Sequence, residues 1–282
     1  MSVLGGPAQA GEQGPTGMGI IVGVVLILVS LGIAFVAISM GGMLALIGII
    51  VGGVLVAFGV HLVPVGGAPA AMGQVPGIAT GVPMLAAGAG LAGLFKGAWA
   101  AETGYASALG TGAIGGALLM AISMLMVNII YVYGMGIPAA SGKVDKDPIT
   151  GDTFPEYKTH GTEGHGLPFI SYVGGVFGGL LGGFGGTLIY LMMYDVYLDF
   201  MPATLGASVE EIMPIAVGLA GVFAIGIFLI NAVLSAYNIG GTIEGPHDPK
   251  FKRFPRAIIG SAVASAIAGV FVLLIAVLPA AL

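Results

Sequence analysis

The chain has 282 residues, of which 57% are hydrophobic and only 7% charged, and its mean hydropathy is +1.06. A water-soluble surface uses roughly 25% charged residues, so lipid rather than water surrounds most of this polypeptide. A net charge of −5 with only 8 basic residues excludes the Lys/Arg clusters that nucleic-acid binding requires. The absence of cysteine excludes disulfides, thiolate metal sites and cysteine nucleophiles.

In chain order, residues 1–17 are rich in Gly, Pro, Gln and Ala and read as an unstructured tail. The first basic residue is Lys96, so the start of the chain does not read as a secretory signal. A helix needs about 20 apolar residues to cross about 30 Å of hydrocarbon. Gaps between charged residues accommodate seven such spans, at 18–38, 41–62, 78–98, 109–134, 168–193, 212–236 and 257–279. The span at 78–98 is rich in Gly and Pro, which also suits a re-entrant segment. Unbroken apolar runs such as Ile20–Val29 contradict the alternation of a membrane β-barrel. The fold class is therefore all-α, a polytopic transmembrane helix bundle. Aromatic residues that prefer headgroup depth cluster at span ends: Trp99 and Tyr105, Tyr131 and Tyr133, Tyr190, Tyr194 and Tyr197, and Tyr237.

The expected polar loops are 135–167 and 237–256, on one side of the membrane by parity. They hold Lys143, Lys146, Lys158, Lys250, Lys252, Arg253 and Arg256, seven of the eight basic residues. The turn between the fifth and sixth spans carries Asp195, Asp199, Glu210 and Glu211 and no basic residue. An excess of Lys and Arg marks the cytoplasmic face, so the basic loops are expected on the cytoplasmic side of the cell membrane.

Glycine, at 52 residues, is the second anomaly. In lipid, helices associate by close van der Waals contact, which small residues permit. In the fifth span Gly174, Gly178, Gly182 and Gly186 form one stripe and Gly175, Gly179 and Gly183 a second beside it. Two adjacent smooth faces predict a helix enclosed by neighbours. Residues 110–115 fit the dinucleotide pattern G-x-G-x-x-G, but they open an apolar span instead of following a strand, so they too read as a packing surface.

Few polar residues fall inside the spans. Asn128 and Asn231 have two readings: interhelical hydrogen bonding, or a cation site at mid-depth. Asp195 and Asp199 are four apart and share a helix face, which suits either a cation or a solvated cap. These four residues are the candidate ion path. His61 ends the second span and reads as structural. His160, Glu163 and His165 are too few for a zinc site. Asp145, Asp147 and Glu156 only echo a calcium loop, since Ile149 and Thr150 occupy a ligand and the glycine position. No catalytic constellation and no metal site emerge.

Four strings carry a more specific signal: HLVPVGGAPAAM at 61–72, KVDKDPIT at 143–150, GTEGHGLP at 161–168, and YNIGGTIEG at 237–245 continuing through His247 to Arg253. Together, and in this order, they resemble the family of the integral-membrane D subunit of tetrahydromethanopterin S-methyltransferase, from about residue 42 to the C-terminus. The resemblance implies six spans, within residues 41–282, so that the tail and the helix at 18–40 are additions. It also implies a role in a sodium-pumping complex of archaea, active in methanogenesis, that moves a methyl group from methyl-tetrahydromethanopterin to coenzyme M. Corrinoid demethylation would drive sodium export, with the corrinoid on a partner subunit and the C and E membrane subunits beside this chain. No cofactor on this chain is implied beyond a sodium ion, and no catalytic residue. His61, Glu163, His165, Glu244, His247 and Asp248 fall in or beside the matching strings and are the candidate coupling or cavity surface. The competing classes are a stand-alone secondary transporter, which would show inverted repeats, and a purely structural scaffold.

Overall fold

The computed structural model describes residues 15–63, 99–100, 103–129, 145–153, 155, 157–159, 162–164, 169–239 and 253–278. Six long helices account for most of them: α1 (Gly17–Ala37), α2 (Met40–Leu62), α3 (Tyr105–Asn128), α4 (Phe169–Leu205), α5 (Val209–Ile239) and α6 (Phe254–Leu274), the last running into a 3-10 turn at Ile275–Val277. All six are long and apolar enough to cross a membrane. The expected span at 78–98 lies outside the described residues.

Local chemistry sets the helix ends. Thr16 Oγ1 accepts from the Gly19 amide at 3.1 Å and starts α1, and Ser39 Oγ accepts from the Gly42 amide at 3.3 Å and starts α2. The tight turn from α4 to α5 uses Gly206 in the left-handed region, φ 64°. A reciprocal cap follows it: the Glu211 amide donates to Ser208 Oγ at 3.3 Å, and the Ser208 amide donates to Glu211 Oε2 at 2.9 Å.

Helix α4 is the most enclosed of the six and α1 the least. The two glycine stripes explain why. A methyl group on Gly178 would lie 2.5 Å from the Gly59 carbonyl oxygen, and one on Gly185 would lie 2.5 Å from that of Gly52, so α2 and α4 meet backbone to backbone. On the adjacent face, Gly179 approaches the Gly116 carbonyl, and Gly183 that of Gly112, so α3 meets α4 in the same way. Gly112, the second glycine of the G-x-G-x-x-G string, packs on α4, whereas Gly110 has open space around it. On the α2 side the contacts fall at Gly174, Gly178 and Gly182, one every fourth residue, and Gly185 joins them toward the far end.

Both pairs are antiparallel. Helices α2 and α3 therefore run in the same direction, with α2 ending on one face of the bundle and α3 beginning on the other. We call the face with Leu62, Phe169, Ile239 and Phe254 the first face, and that with Ser39, Tyr105 and Leu205 the second. The described basic residues Lys146, Lys158, Arg253 and Arg256 lie on or next to the first face, and Asp195, Asp199, Glu210 and Glu211 on the second.

Three features differ from the sequence expectation. Helix α4 continues to Leu205, well past the expected end at 193, because Asp195 and Asp199 sit within a helix that outruns the hydrocarbon. Helix α5 reaches Ile239 and α6 starts at Phe254, which shortens the second polar loop. Tyr190 and Tyr197 are buried in the bundle and do not ring its end: Tyr197 donates its hydroxyl to the Val272 carbonyl at 2.9 Å, and Tyr190 stacks on Tyr194 with centroids 5.7 Å apart. Trp99 and Tyr105 are exposed, as residues at an interface are.

Candidate functional site

The most polar buried region lies between α5 and α6. Asn231 is fully buried; its Nδ2 donates to the Ile227 carbonyl at 2.8 Å and to Ser265 Oγ at 2.8 Å. Ser265 and Ser261 are one turn apart on α6, and Asn231 and Ser235 one turn apart on α5. With the helices antiparallel, the Asn231–Ser265 bond sets the register, so Ser235 falls opposite Ser261. All four side chains are buried. Asn231 Oδ1, Ser235 Oγ and Ser261 Oγ find no hydrogen-bond partner among the described residues. Lipid offers none either, so leaving these oxygens unpartnered is costly.

Helix α2 closes this seam. A methyl group on Gly53 would collide with Ser265 Oγ and lie 2.7 Å from Asn231 Nδ2. Glycine at 53 is therefore required for the Asn231–Ser265 pair to form. Toward the first face, Asn238 Nδ2 donates to the Arg253 carbonyl at 2.8 Å and ties the end of α5 to the start of α6. Polar groups thus descend from that face into the bundle at Asn238, Ser235/Ser261 and Asn231/Ser265.

His61 lies on the same half of the molecule. It is fully buried, its Nδ1 donates to the Ala57 carbonyl at 2.7 Å, and its ring meets Phe254 edge-on with centroids 4.9 Å apart. These contacts pin the end of α2 to the start of α6, in keeping with a structural role.

The polar loop before α4 is organised by one carboxylate. Asp147 is buried; Oδ1 accepts from the amides of Ile149 at 2.7 Å and Thr150 at 3.0 Å, and Oδ2 accepts from the amide of Ile170 at 3.1 Å. The Ile170 amide belongs to the first turn of α4, so a residue 23 positions upstream caps that helix. Burial pushes the Asp147 carboxyl up, but the amides of Thr150, Ile149, Ile170 and Phe169 more than offset it and hold it below its ordinary value. Lys146 pairs with Thr153 in an isolated bridge, and a short ribbon follows, β1 (Tyr157–Thr159) against β2 (Thr162–Gly164), with Lys158 opposite Glu163.

Asp195 and Asp199 share a face of α4, as their spacing requires. They line a cavity of about 390 Å³ on the second face together with Ser39, Leu44, Tyr105 and Met192. Asp195 is half-buried and Asp199 exposed. The carboxylates and the Asn231 seam lie toward opposite faces and form no single site. Asn128 is the last residue of α3 and Glu163 lies on β2, while the side chains of both fall outside the described residues. His165, Glu244, His247 and Asp248 lie outside them altogether. No group of three metal-ligating side chains occurs among the described residues. Sequence reasoning passed over Ser235, Ser261 and Ser265, and weighed Asp147 only as a calcium ligand and not as a helix cap. For the two α6 serines the available signal was their four-residue spacing inside an apolar run.

Residues 42–265 match the family described as the D subunit of tetrahydromethanopterin S-methyltransferase. Curated proteins that bear the same description are similar over most of their lengths. That of Methanopyrus kandleri is 51% identical over 216 residues, 77% of this chain and 89% of the relative. That of Methanothermobacter thermautotrophicus is 49% identical over 215 residues, 76% of this chain and 88% of the relative. That of Methanosarcina mazei is 46% identical over 228 residues, 80% and 91% respectively. Helix α1 precedes the matched residues.

Proposed function

Because the chain belongs to the D-subunit family of tetrahydromethanopterin S-methyltransferase, we propose that it is a membrane subunit of a methyltransferase complex that moves a methyl group from methyl-tetrahydromethanopterin to coenzyme M and exports sodium. The corrinoid that carries the methyl group resides on a partner subunit, and the C and E membrane subunits pack beside this chain. The chain supplies no group to the methyl-transfer chemistry. The first face, with the basic residues, is cytoplasmic and receives the soluble partners, and the loop organised by Asp147 is part of the surface they meet.

The observation that carries the ion-coupling role is the α5–α6 seam. Three buried oxygens without a hydrogen-bond partner among the described residues, deep in a largely apolar bundle, are a costly arrangement unless something occupies them. Oxygen ligands are what a hard cation takes. In this reading, sodium enters from the first face past Asn238, is held at Asn231, Ser235 and Ser261, and leaves toward the second face, where Asp195 and Asp199 attract a cation. The test is methyl transfer by the intact complex against sodium concentration, for Asn231→Ala, Ser261→Ala and Asp195→Asn. The expected result is half-saturation at higher sodium with assembly intact. Unchanged half-saturation in all three would assign the ion path to a partner subunit and leave this chain as packing.

A further inference from the structure

We propose that this chain holds an anionic phospholipid in a groove between α1, α5 and α6, its phosphate at Arg253 and Arg256 and one apolar chain along α1. Such a site requires only that the chain span a membrane. On the first face, a cavity of about 360 Å³ is lined by Leu234, Asn238, Arg253, Arg256, Ala257 and Gly260. It is continuous with a second cavity of about 590 Å³, since Leu234, Arg256 and Gly260 line both. From these shared residues the second cavity runs down between Val22 and Leu26 of α1 and Ile259, Val263 and Ile267 of α6. Arg256 to Ile267 is eleven residues, so the trough extends on the order of 16 Å into the bilayer at 1.5 Å per residue.

The two ends of this groove have different chemistry. Arg256 is exposed at its mouth and, among the described residues, has no side-chain partner. A guanidinium matches phosphate oxygens in a bidentate fork. Below it the walls are aliphatic, and Gly260 has open space where a side chain would project. An anionic lipid satisfies both ends at once, its phosphate against Arg256 and its chain against the aliphatic walls. Helix α1 provides one wall, meeting α6 where Gly23 lies against Val263 and Ile259, and it precedes the residues matched to the family.

The test uses the intact complex in nanodiscs of zwitterionic lipid, doped with phosphatidylglycerol carrying a diazirine in its acyl chain, or with phosphatidylcholine carrying the same chain. Irradiation and peptide mass spectrometry then report where each probe attaches. The phosphatidylglycerol probe is expected to label residues 17–26 and 259–267, and the phosphatidylcholine probe severalfold less. A basic side chain near an anionic headgroup contributes about fivefold in affinity, so Arg253→Gln and Arg256→Gln should each lower labelling by about that factor, and Arg256→Lys, which keeps the charge but not the bidentate fork, should restore part of it. Gly260→Leu should block the trough with both arginines in place. If Arg253→Gln impairs assembly, Arg256→Gln and Gly260→Leu decide the matter. Equal labelling by the two probes, labelling indifferent to Arg256→Gln, or a groove shielded from both probes by a partner helix would each overturn the proposal.

Discussion

A single methyl group at Gly185 separates the backbone-contact account of the bundle from one based on composition alone. That methyl would lie 2.5 Å from the Gly52 carbonyl oxygen, about 0.9 Å inside the 3.4 Å at which ordinary contact begins, and 3.2 Å from both Leu55 Cβ and Val56 Cγ2. Neither neighbour is a flexible chain end that swings aside, so α2 must back away from α4. A gap of 0.5–1 Å forfeits about a quarter to a half of each dispersion contact. With on the order of 20 near-optimal atom pairs along the seam at about 0.15 kcal/mol each, this amounts to about 1 kcal/mol. Residual strain raises the expected cost of Gly185→Ala to about 1–3 kcal/mol. Gly218 on α5 has nothing within 4 Å of the same position. There Gly218→Ala should be neutral or stabilise by up to about 1 kcal/mol through helix propensity. Unfolding of the chain in mixed micelles with rising dodecyl sulfate, followed by far-ultraviolet circular dichroism, compares the two. Equal shifts, or a stabilising Gly185→Ala, would refute the close approach of α2 and α4.

Further outcomes follow from other contacts. Tyr197→Phe removes the 2.9 Å bond to the Val272 carbonyl and should cost about 1 kcal/mol in the same unfolding measurement. Ser265→Ala takes one acceptor from Asn231 Nδ2, which keeps the Ile227 carbonyl; a loss of about 0.6 kcal/mol is expected, the usual worth of such bonds inside membranes. Asp147→Asn should expose the 145–153 loop to limited proteolysis while the helices remain protected. Acid should act on the wild type in the same way: the Asp147 carboxyl is held below its ordinary 3.8, so its contribution is complete above 3.8 and gone once the pH has fallen through the lowered native value. Cleavage of the loop by an acid-active protease should therefore rise only below about pH 4, and a rise between pH 5 and 7 would show that another group anchors it.

Much of this architecture was legible in the chain itself. Long uncharged runs announce membrane helices because a charge inside hydrocarbon is costly, and the glycine stripes of α4 announce enclosure because smooth faces have value only against other backbones. Which helix fills each stripe was not legible: the α2 and α3 partners depend on a packing that spacing along α4 leaves open. The length of α4 was misjudged for a physical reason. Charge ends a bilayer span but not a helix, and Asp195 and Asp199 continue the hydrogen-bonded turn into water. Tyr190 and Tyr197 were assigned to the interface on amphipathicity, whereas a buried tyrosine is equally satisfied by a carbonyl such as that of Val272. Asn231 stood out as a polar residue in an apolar run. Its partner Ser265, 34 positions away, could be joined to it only by the antiparallel register of α5 and α6.

Helix α4 has 37 residues, about 55 Å at 1.5 Å per residue, against about 30 Å of hydrocarbon. One of its ends is fastened by Asp147 to a water-exposed loop, and its flanks meet α2 and α3 at direct backbone contacts. A pull on that loop by a docked protein would therefore reach the acidic end as axial movement of a stiff rod. Compliance would have to come from the turn at Gly206, the first left-handed residue after the rod ends.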